Sequence, residues 1–101
     1  MTVTFMNEKL TVVKKKYLNG QHCLELFDEM GMPFMKATAA IEDFKAEPYL
    51  QFLNNENTVF IKNYSENQGI LDALVDAGIV KDTGLTMSSG FTKLNICELL
   101  I

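Results

Sequence analysis

At 101 residues, the chain is long enough to bury one modest hydrophobic core and fits a single domain over residues 1–101. Its 13 acidic and 9 basic residues give a net charge of −4, and every basic residue is a lysine. Because the arginine guanidinium is the usual reader of bases and phosphates, this composition argues against direct nucleic-acid binding and favours a protein partner. Two cysteines are too few for a secreted disulfide framework, and we expect neither a signal peptide nor a membrane span, so a cytoplasmic location is predicted.

The first 41 residues predict four short strands joined by turns. β-Branched and aromatic residues, which suit a pleated sheet, recur in these segments. Turns are predicted at Asn7-Glu8, at Asn19-Gly20 (the strongest signal for a two-residue type I′ hairpin turn) and at Gly31-Met32-Pro33. The alanines of the fourth segment leave a helix as the alternative there. The predicted strands are residues 2–6, 10–17, 21–28 and 34–41.

Residues 42–57 carry the weakest pattern in the chain. A single proline, scattered apolar residues and an asparagine-rich end fit either a short helix or an irregular excursion. In both cases the apolar side chains are expected to anchor the segment to the core; they are Phe44, Tyr49, Phe52 and Leu53. Residues 58–64 return to the composition of a strand.

The clearest local pattern predicts a helix over residues 66–77. Ser65 has the side chain of an N-cap, and Gln68 three positions later completes a capping-box pattern. Apolar residues line one face, and Gly78 supplies the left-handed residue that commonly ends a helix. That face is formed by Ile70, Leu71, Leu74 and Val75. Turns at 82–84 and 88–90 and a final strand over 91–99 complete the prediction.

The order of these elements predicts the fold class. Strands grouped first and a helix placed late indicate an α+β fold rather than an alternating βαβ arrangement. We therefore predict one antiparallel sheet of five or six strands that begins with a meander, with one helix from the C-terminal half packed on one face. A second short helix over residues 42–57 is the alternative to an irregular segment there.

The residues that could carry chemistry are few and scattered. His22 and Cys23 are neighbours, but neighbours in a strand point to opposite faces, so a Cys–His couple would need Cys97. A Cys23–Cys97 disulfide requires Cα atoms within about 7 Å of each other. No metal-ligand spacing is present, and we predict no catalytic residue, no metal and no cofactor.

Two surface features have both a structural and a functional interpretation. The consecutive Lys14, Lys15 and Lys16 beside Tyr17 could contact phosphates, although protection of a sheet edge is the commoner use of such lysines. A cluster of methionines and one phenylalanine around a turn fits either an adaptable binding patch or a loop folded over the core, and we favour the loop. This cluster comprises Met30, Met32, Phe34 and Met35.

The C-terminal 40 residues resemble a known family. The stretches that carry the resemblance are residues 63–69, 74–80, 82–84 and 89–91, together with Cys97. They are similar to small uncharacterised proteins carried on plasmids, phages and conjugative elements of Gram-positive and gut bacteria. The resemblance implies a protein of a mobile genetic element and brings no catalytic residues with it.

Carriage on a mobile element implies an inhibitor of host defence. The expected function is non-enzymatic, anti-CRISPR-like occlusion of guide RNA or DNA binding on a Cas effector, or inhibition of a restriction nuclease, by a monomer or homodimer. The predicted partner-binding residues are Tyr64, Glu66, Asp72, Asp76 and Asp82. One alternative is a structural or regulatory accessory protein that dimerises through an edge strand. A second is a small hydrolase or nuclease that uses scattered carboxylates.

Overall fold

A computed structural model describes residues 1–18, 20–40, 57–89 and 92–101. Within these ranges the chain forms seven strands, one 3₁₀ turn and one α-helix. The expectation for residues 42–57 falls almost wholly on residues outside the described ranges. The elements are β1 (Thr2–Phe5), β2 (Glu8–Lys16), β3 (His22–Phe27), β4 (Pro33–Lys36), β5 (Thr58–Ile61), the 3₁₀ turn (Ser65–Asn67), α1 (Ile70–Asp76), β6 (Val80–Ser89) and β7 (Thr92–Leu99).

The strands divide into two antiparallel sheets. The first has the order β1-β2-β3-β4, which is the predicted meander, and the second has the order β5-β7-β6. The α+β class is therefore confirmed, whereas the prediction of one sheet with five or six strands is wrong. The cause is a change of partner just after β4, where the chain leaves the first sheet and begins to bond to the second.

That change of partner takes place at Ala37. Its N–H still donates to the carbonyl of Leu24 on β3, at 2.9 Å, but its own carbonyl accepts from the N–H of Lys62, just after β5, at 2.8 Å. The Leu24 N–H therefore has no backbone carbonyl opposite it, and it donates instead to Oγ1 of Thr38, at 3.1 Å. Since an unpaired buried amide is costly, the fully buried Thr38 hydroxyl makes the switch between sheets possible.

Further hydrogen bonds hold this crossing strand in place. The Tyr17 hydroxyl donates to the Thr38 carbonyl at 3.0 Å and lies 3.2 Å from Thr38 Oγ1. On the side of the second sheet, the Ala39 N–H donates to the Phe60 carbonyl at 2.9 Å. Thr38 thus bonds to the first sheet while Ala37 and Ala39 on either side of it bond to the second, in positions that no local sequence pattern marks.

The longest strand in the second sheet was missed as a strand. Residues 82–84 were expected to form a turn, but they form a bulge inside β6, where the register shifts between Asp82 and Leu85. The Asp82 carboxylate accepts from the Gly84 N–H at 2.9 Å, and Gly84 has a φ of 80°. Turn-forming residues meet the conformational demands of a bulge equally well, which explains the error.

The two hairpin turns lie at or next to their predicted positions but differ from the prediction in register or loop length. In the β1–β2 turn, Met6 and Asn7 have φ values of 52° and 61°, so this is the type I′ turn, one residue earlier than expected. The β2–β3 hairpin is confirmed next to Gly20. Its closing bond runs from the Tyr17 N–H to the Gln21 carbonyl at 2.8 Å, which makes the loop longer than the predicted two residues.

The helix is shorter than predicted and is capped by another residue. The 3₁₀ turn precedes it, and Ser65 has a φ of 53° in that turn rather than the extended geometry of an N-cap. Oδ1 of Asn63 accepts from the N–H groups of Gly69 and Leu71, at 2.9 and 3.1 Å. The predicted capping box of Ser65 and Gln68 is therefore wrong, since a side chain further back along the chain binds the free amides.

The predicted end of the helix is confirmed. Gly78 has a φ of 74°, and its N–H donates to the Val75 carbonyl at 3.0 Å. The Ile79 N–H donates to the Leu74 carbonyl at 2.9 Å, which completes a Schellman motif. This stop turns the chain directly into β6.

Two clusters of buried side chains use opposite faces of the second sheet. The larger lies between the inner face of the first sheet, α1 and one face of the second sheet, and it includes Leu10, Leu24, Ile61, Leu74 and Cys97. The smaller lies on the other face and consists of Phe60, Met87, Leu94 and Ile96, with Tyr64 and Ala39 packed against it. The alternation of side chains along β5 and β7 distributes them between the two clusters.

The Thr38 hydroxyl can be tested by two substitutions of similar size. Thr38→Val keeps the shape of the side chain but leaves the Leu24 N–H unpaired, so we expect a loss of about 1–3 kcal/mol in the free energy of unfolding. Thr38→Ser keeps the hydroxyl and removes a methyl group, at a cost of about 1 kcal/mol. Urea denaturation measures both, and a Thr38→Val protein as stable as the wild type would contradict the role given to the hydroxyl.

The reassigned helix cap leads to a second prediction. Asn63→Ala removes the acceptor for two amides and should lower the free energy of unfolding by about 1–2 kcal/mol. Ser65→Gly should change it by less than about 0.5 kcal/mol, because glycine readily adopts the positive φ of this position. Thermal and urea unfolding of the two variants distinguish the caps, and the reverse order of stabilities would restore Ser65 as the cap.

Candidate functional site

The exposed face of α1 carries two unpaired carboxylates. Asp72 and Asp76 lie one helical turn apart and are exposed, while Ile70, Leu71 and Leu74 are buried on the opposite side. Neither carboxylate has a hydrogen bond or ion pair with any residue in the described ranges. Like charges at this spacing cost an isolated helix a few tenths of a kcal/mol. For Asp72, which lies in the first turn, the helix dipole offsets part of this cost.

The other predicted partner-binding residues differ in their availability. Glu66 is exposed in the 3₁₀ turn that leads into the helix. Tyr64 is half-buried and packs against the smaller core cluster. Asp82 is exposed, but its carboxylate is engaged by the amide of Gly84 in the β6 bulge. The carboxylates most available to a partner are therefore those of Glu66, Asp72 and Asp76. Tyr64 and Asp82 are held by local contacts.

A groove runs between β1 and α1 and was not predicted. It has a volume of about 320 Å³ and is lined by Thr2, Val3, Thr4, Lys9, Ala73, Asp76 and Ala77. Two alanines one helical turn apart present only methyl groups to it, which leaves space beside the strand. The signal in the sequence was the alternation of threonine with Val3 and Phe5 along β1, which marks a strand with one polar face.

Two of the three consecutive lysines, Lys14 and Lys15, make contacts within the fold. Nζ of Lys14 donates to the Ile101 carbonyl at 3.2 Å, and Nζ of Lys15 pairs with the Glu25 carboxylate at 2.7 Å. The Lys15 hydrogen bond holds the pKa of Glu25 below its usual value. These lysines lie beyond the last residues of β2 that pair with β1, so they extend past that edge as expected.

The thiols do not form a reactive pair. Cys23 lies in β3 of the first sheet and Cys97 in β7 of the second, and both are buried and free, so the disulfide considered from the sequence is not formed. Burial raises the pKa of the Cys97 thiol to about 12, and the Asp82 charge adds to the rise. Since the thiolate is the nucleophile, Cys97 is inert near neutral pH. His22 precedes Cys23 on the same strand, so the two side chains point to opposite faces.

The methionine-rich turn is largely exposed. Met30, Met32 and Phe34 have exposed fractions of 88%, 59% and 41%, whereas Met35 packs against the larger core cluster. The interpretation of a loop folded over the core is therefore correct for Met35 and wrong for the other three. Among the residues that the structure describes, no group of three His, Cys, Asp or Glu side chains could hold a metal ion. Over the same residues, no helix has the length and apolar character to cross a bilayer.

Comparisons with protein-family models, with curated proteins and with solved structures found no match. The interpretation of the site therefore depends on the geometry and charge of the chain itself.

The half-buried phenol of Tyr17 gives a prediction for alkaline pH. Burial raises its pKa from 10.0 to about 12; the Thr38 hydrogen bond opposes this rise and Cys23 adds to it. Because the folded pKa is raised, the stabilisation is complete below pH 10.0 and is lost as pH rises towards 12. The free energy of unfolding of the wild type should therefore fall more steeply in this range than that of Tyr17→Phe.

Urea titrations at several pH values between 9 and 12 measure the two slopes. Cys97 titrates in the same range in both proteins, so the difference between the slopes isolates Tyr17. Parallel curves would show that the phenol does not contribute to the alkaline transition.

Proposed function

We propose that the protein is a non-enzymatic inhibitor that binds another protein through the acidic face of α1. The observation that carries this proposal is the pair of exposed, unpaired carboxylates of Asp72 and Asp76. Glu66 extends the negative surface before the start of the helix, and Tyr64 and Asp82 are the other two predicted contacts. A carboxylate pair that has no ion pair with any described residue is suited to bind cationic side chains of a partner.

The partner we propose is a nuclease of the host defence, most specifically a Cas effector. Such enzymes hold guide RNA and DNA in positively charged channels, which an acidic protein can occupy in place of the nucleic acid. The resemblance of the C-terminal 40 residues to proteins of plasmids, phages and conjugative elements supports this choice. A restriction nuclease, which also binds DNA on a cationic surface, is the other partner that we propose.

The state of the reactive groups supports a binding function over an enzymatic one. The Cys97 thiol is protonated at neutral pH, and Asp82 and Glu25 are each engaged in a local contact. A hydrolase that relied on Asp72 and Asp76 would carry out its chemistry on two carboxylates exposed to solvent. Metal-dependent turnover that is lost in a single Asp→Asn variant would favour the hydrolase.

Reversing the helix charges tests the proposal directly. Purified protein is assayed for binding to a guide-loaded Cas effector and to a restriction nuclease, and for inhibition of DNA cleavage by each. In Asp72→Lys/Asp76→Lys, we expect inhibition to weaken by about tenfold or more, because attraction to the channel becomes repulsion. The remaining binding should also depend less on salt concentration.

A matched variant controls for net charge. Glu29→Lys/Glu98→Lys changes the charge of the chain by the same amount at exposed positions outside α1 and β1, and it should inhibit as the wild type does. Equal inhibition by the wild type and by the helix variant would remove α1 from the interface. Absence of binding and inhibition with every nuclease tested would overturn the proposed function.

The outer edge of β6 supports a homodimeric accessory protein as the second candidate. The bond from Ala39 to Phe60 turns the backbone of Phe60 away from β7, and the alternation along the ladder then turns Thr86 and Ser88 outward on β6. Both are exposed, and no strand in the described ranges lies on the outer side of β6. A dimeric mass by light scattering would favour this candidate, and a monomeric mass favours the inhibitor.

A further inference from the structure

The backbone of β1 presents free hydrogen-bonding groups to the groove beside α1. The Val12 N–H donates to the Met1 carbonyl at 2.8 Å, and Phe5 pairs with Glu8 at the type I′ turn. Because antiparallel partners alternate, Val3 also faces β2, and the N–H and C=O groups of Thr2 and Thr4 point away from the sheet. Both threonines are exposed, and β1 is the edge of its sheet within the described part of the chain.

The groove has the place and size that an added strand requires. A new strand would lie about 4.8 Å from β1, on the side where α1 forms the opposite wall. Ala73 and Ala77 keep that wall low, and the volume of about 320 Å³ takes a short run of residues rather than a whole domain. Backbone groups in an extended row are complementary only to another extended chain, so the shape of the site specifies its occupant.

The charges of the groove specify which extended chain fits. Asp76 lines the wall formed by the helix, and Asp72 lies one turn earlier on the same helix. Lys9 is the cationic residue that lines the groove. It lies on β2, directly opposite Thr4 of β1. A side chain that points from an added strand towards the helix therefore meets a carboxylate, which favours lysine or arginine at that position.

We propose that an extended, basic segment of a partner protein adds to β1 as a further strand and places a lysine or arginine against Asp76. This inference rests on the proposed function, because it names the part of the partner that the acidic helix would bind. It adds a backbone component to that interface, so affinity depends on the edge of β1 as well as on charge.

Other edges of the described strands are less suited to this role. On β4, the outward carbonyl of Lys36 is already bound by Nδ2 of Asn67, at 3.0 Å. The outer edge of β5 is bonded to the crossing strand at Ala37 and Ala39. β6 carries the bulge at Asp82, a device that discourages pairing in that part of an edge.

The test uses a phage-displayed library of random heptapeptides, panned against the full chain. We expect enriched peptides to carry lysine or arginine at alternate positions and to shift the amide resonances of Thr2 and Thr4. Thr4→Pro removes an outward N–H at an edge, where proline is tolerated, and should weaken these peptides by about tenfold or more. Asp76→Lys should weaken them to a similar extent by reversing the charge of the groove.

Thr86→Pro is the matched control, since it removes an outward N–H from the edge of the other sheet and should leave peptide affinity unchanged. The melting temperature of each variant shows whether it is folded. The proposal is overturned if no basic peptide is enriched, or if the enriched peptides bind folded Thr4→Pro and Asp76→Lys as they bind the wild type.

Failure of this inference can be told from failure of the proposed function. If the wild type and Thr4→Pro inhibit a nuclease equally, the inhibitor stands and the strand-addition site falls. If basic peptides bind at β1 but no nuclease is bound or inhibited, the strand-addition site stands and the proposed function falls.

Discussion

The hydrogen bond from the Leu24 amide to the Thr38 hydroxyl is the interaction on which the arrangement of the two sheets depends. A strand that passes from one sheet to another must turn a carbonyl away from its old partner, and Ala37 does so. The amide left behind is buried, where an unpaired donor costs more than a typical hydrogen bond contributes. The side chain of Thr38, one residue after Ala37, supplies the oxygen that accepts from this amide.

Joining the sheets in this way also determines where the helix lies. The 3₁₀ turn is held to the end of β4 by the bond from Asn67 to the Lys36 carbonyl, and Asn63 then caps α1. The helix begins close to β1, since a Cβ atom at Gly69 would lie 3.5 Å from Cε1 of the Phe5 ring. Polar contacts around β4 therefore set the wall of the groove on the far side of the same sheet.

Local signals predicted much of the fold and failed where a residue acts over a long range. The strands of the meander and the stop at Gly78 follow from neighbouring residues, and they were found. Asp82 and Gly84 give the same local signal in a bulge as in a turn, and only the pairing of β6 with β7 distinguishes the two. Thr38 and Asn63 look like ordinary polar residues in the sequence, because their partners lie 14 and 6–8 residues away. Of the predicted acidic residues, Asp72 and Asp76 lie on α1, but the groove beside them depends on tertiary packing that the sequence does not display.

The acidic face and the groove are two sides of one short helix. Asp76 belongs to both, since it is exposed on α1 and also lines the space beside β1. The two neighbouring carboxylates alone would bind many cationic partners, because exposed ion pairs are weak and impose little geometry. An open strand edge alone would accept many extended chains, because its hydrogen bonds are to backbone groups. In the proposed interface each feature restricts what the other accepts, because a partner would have to offer both an extended segment and a cation at a fixed distance along it.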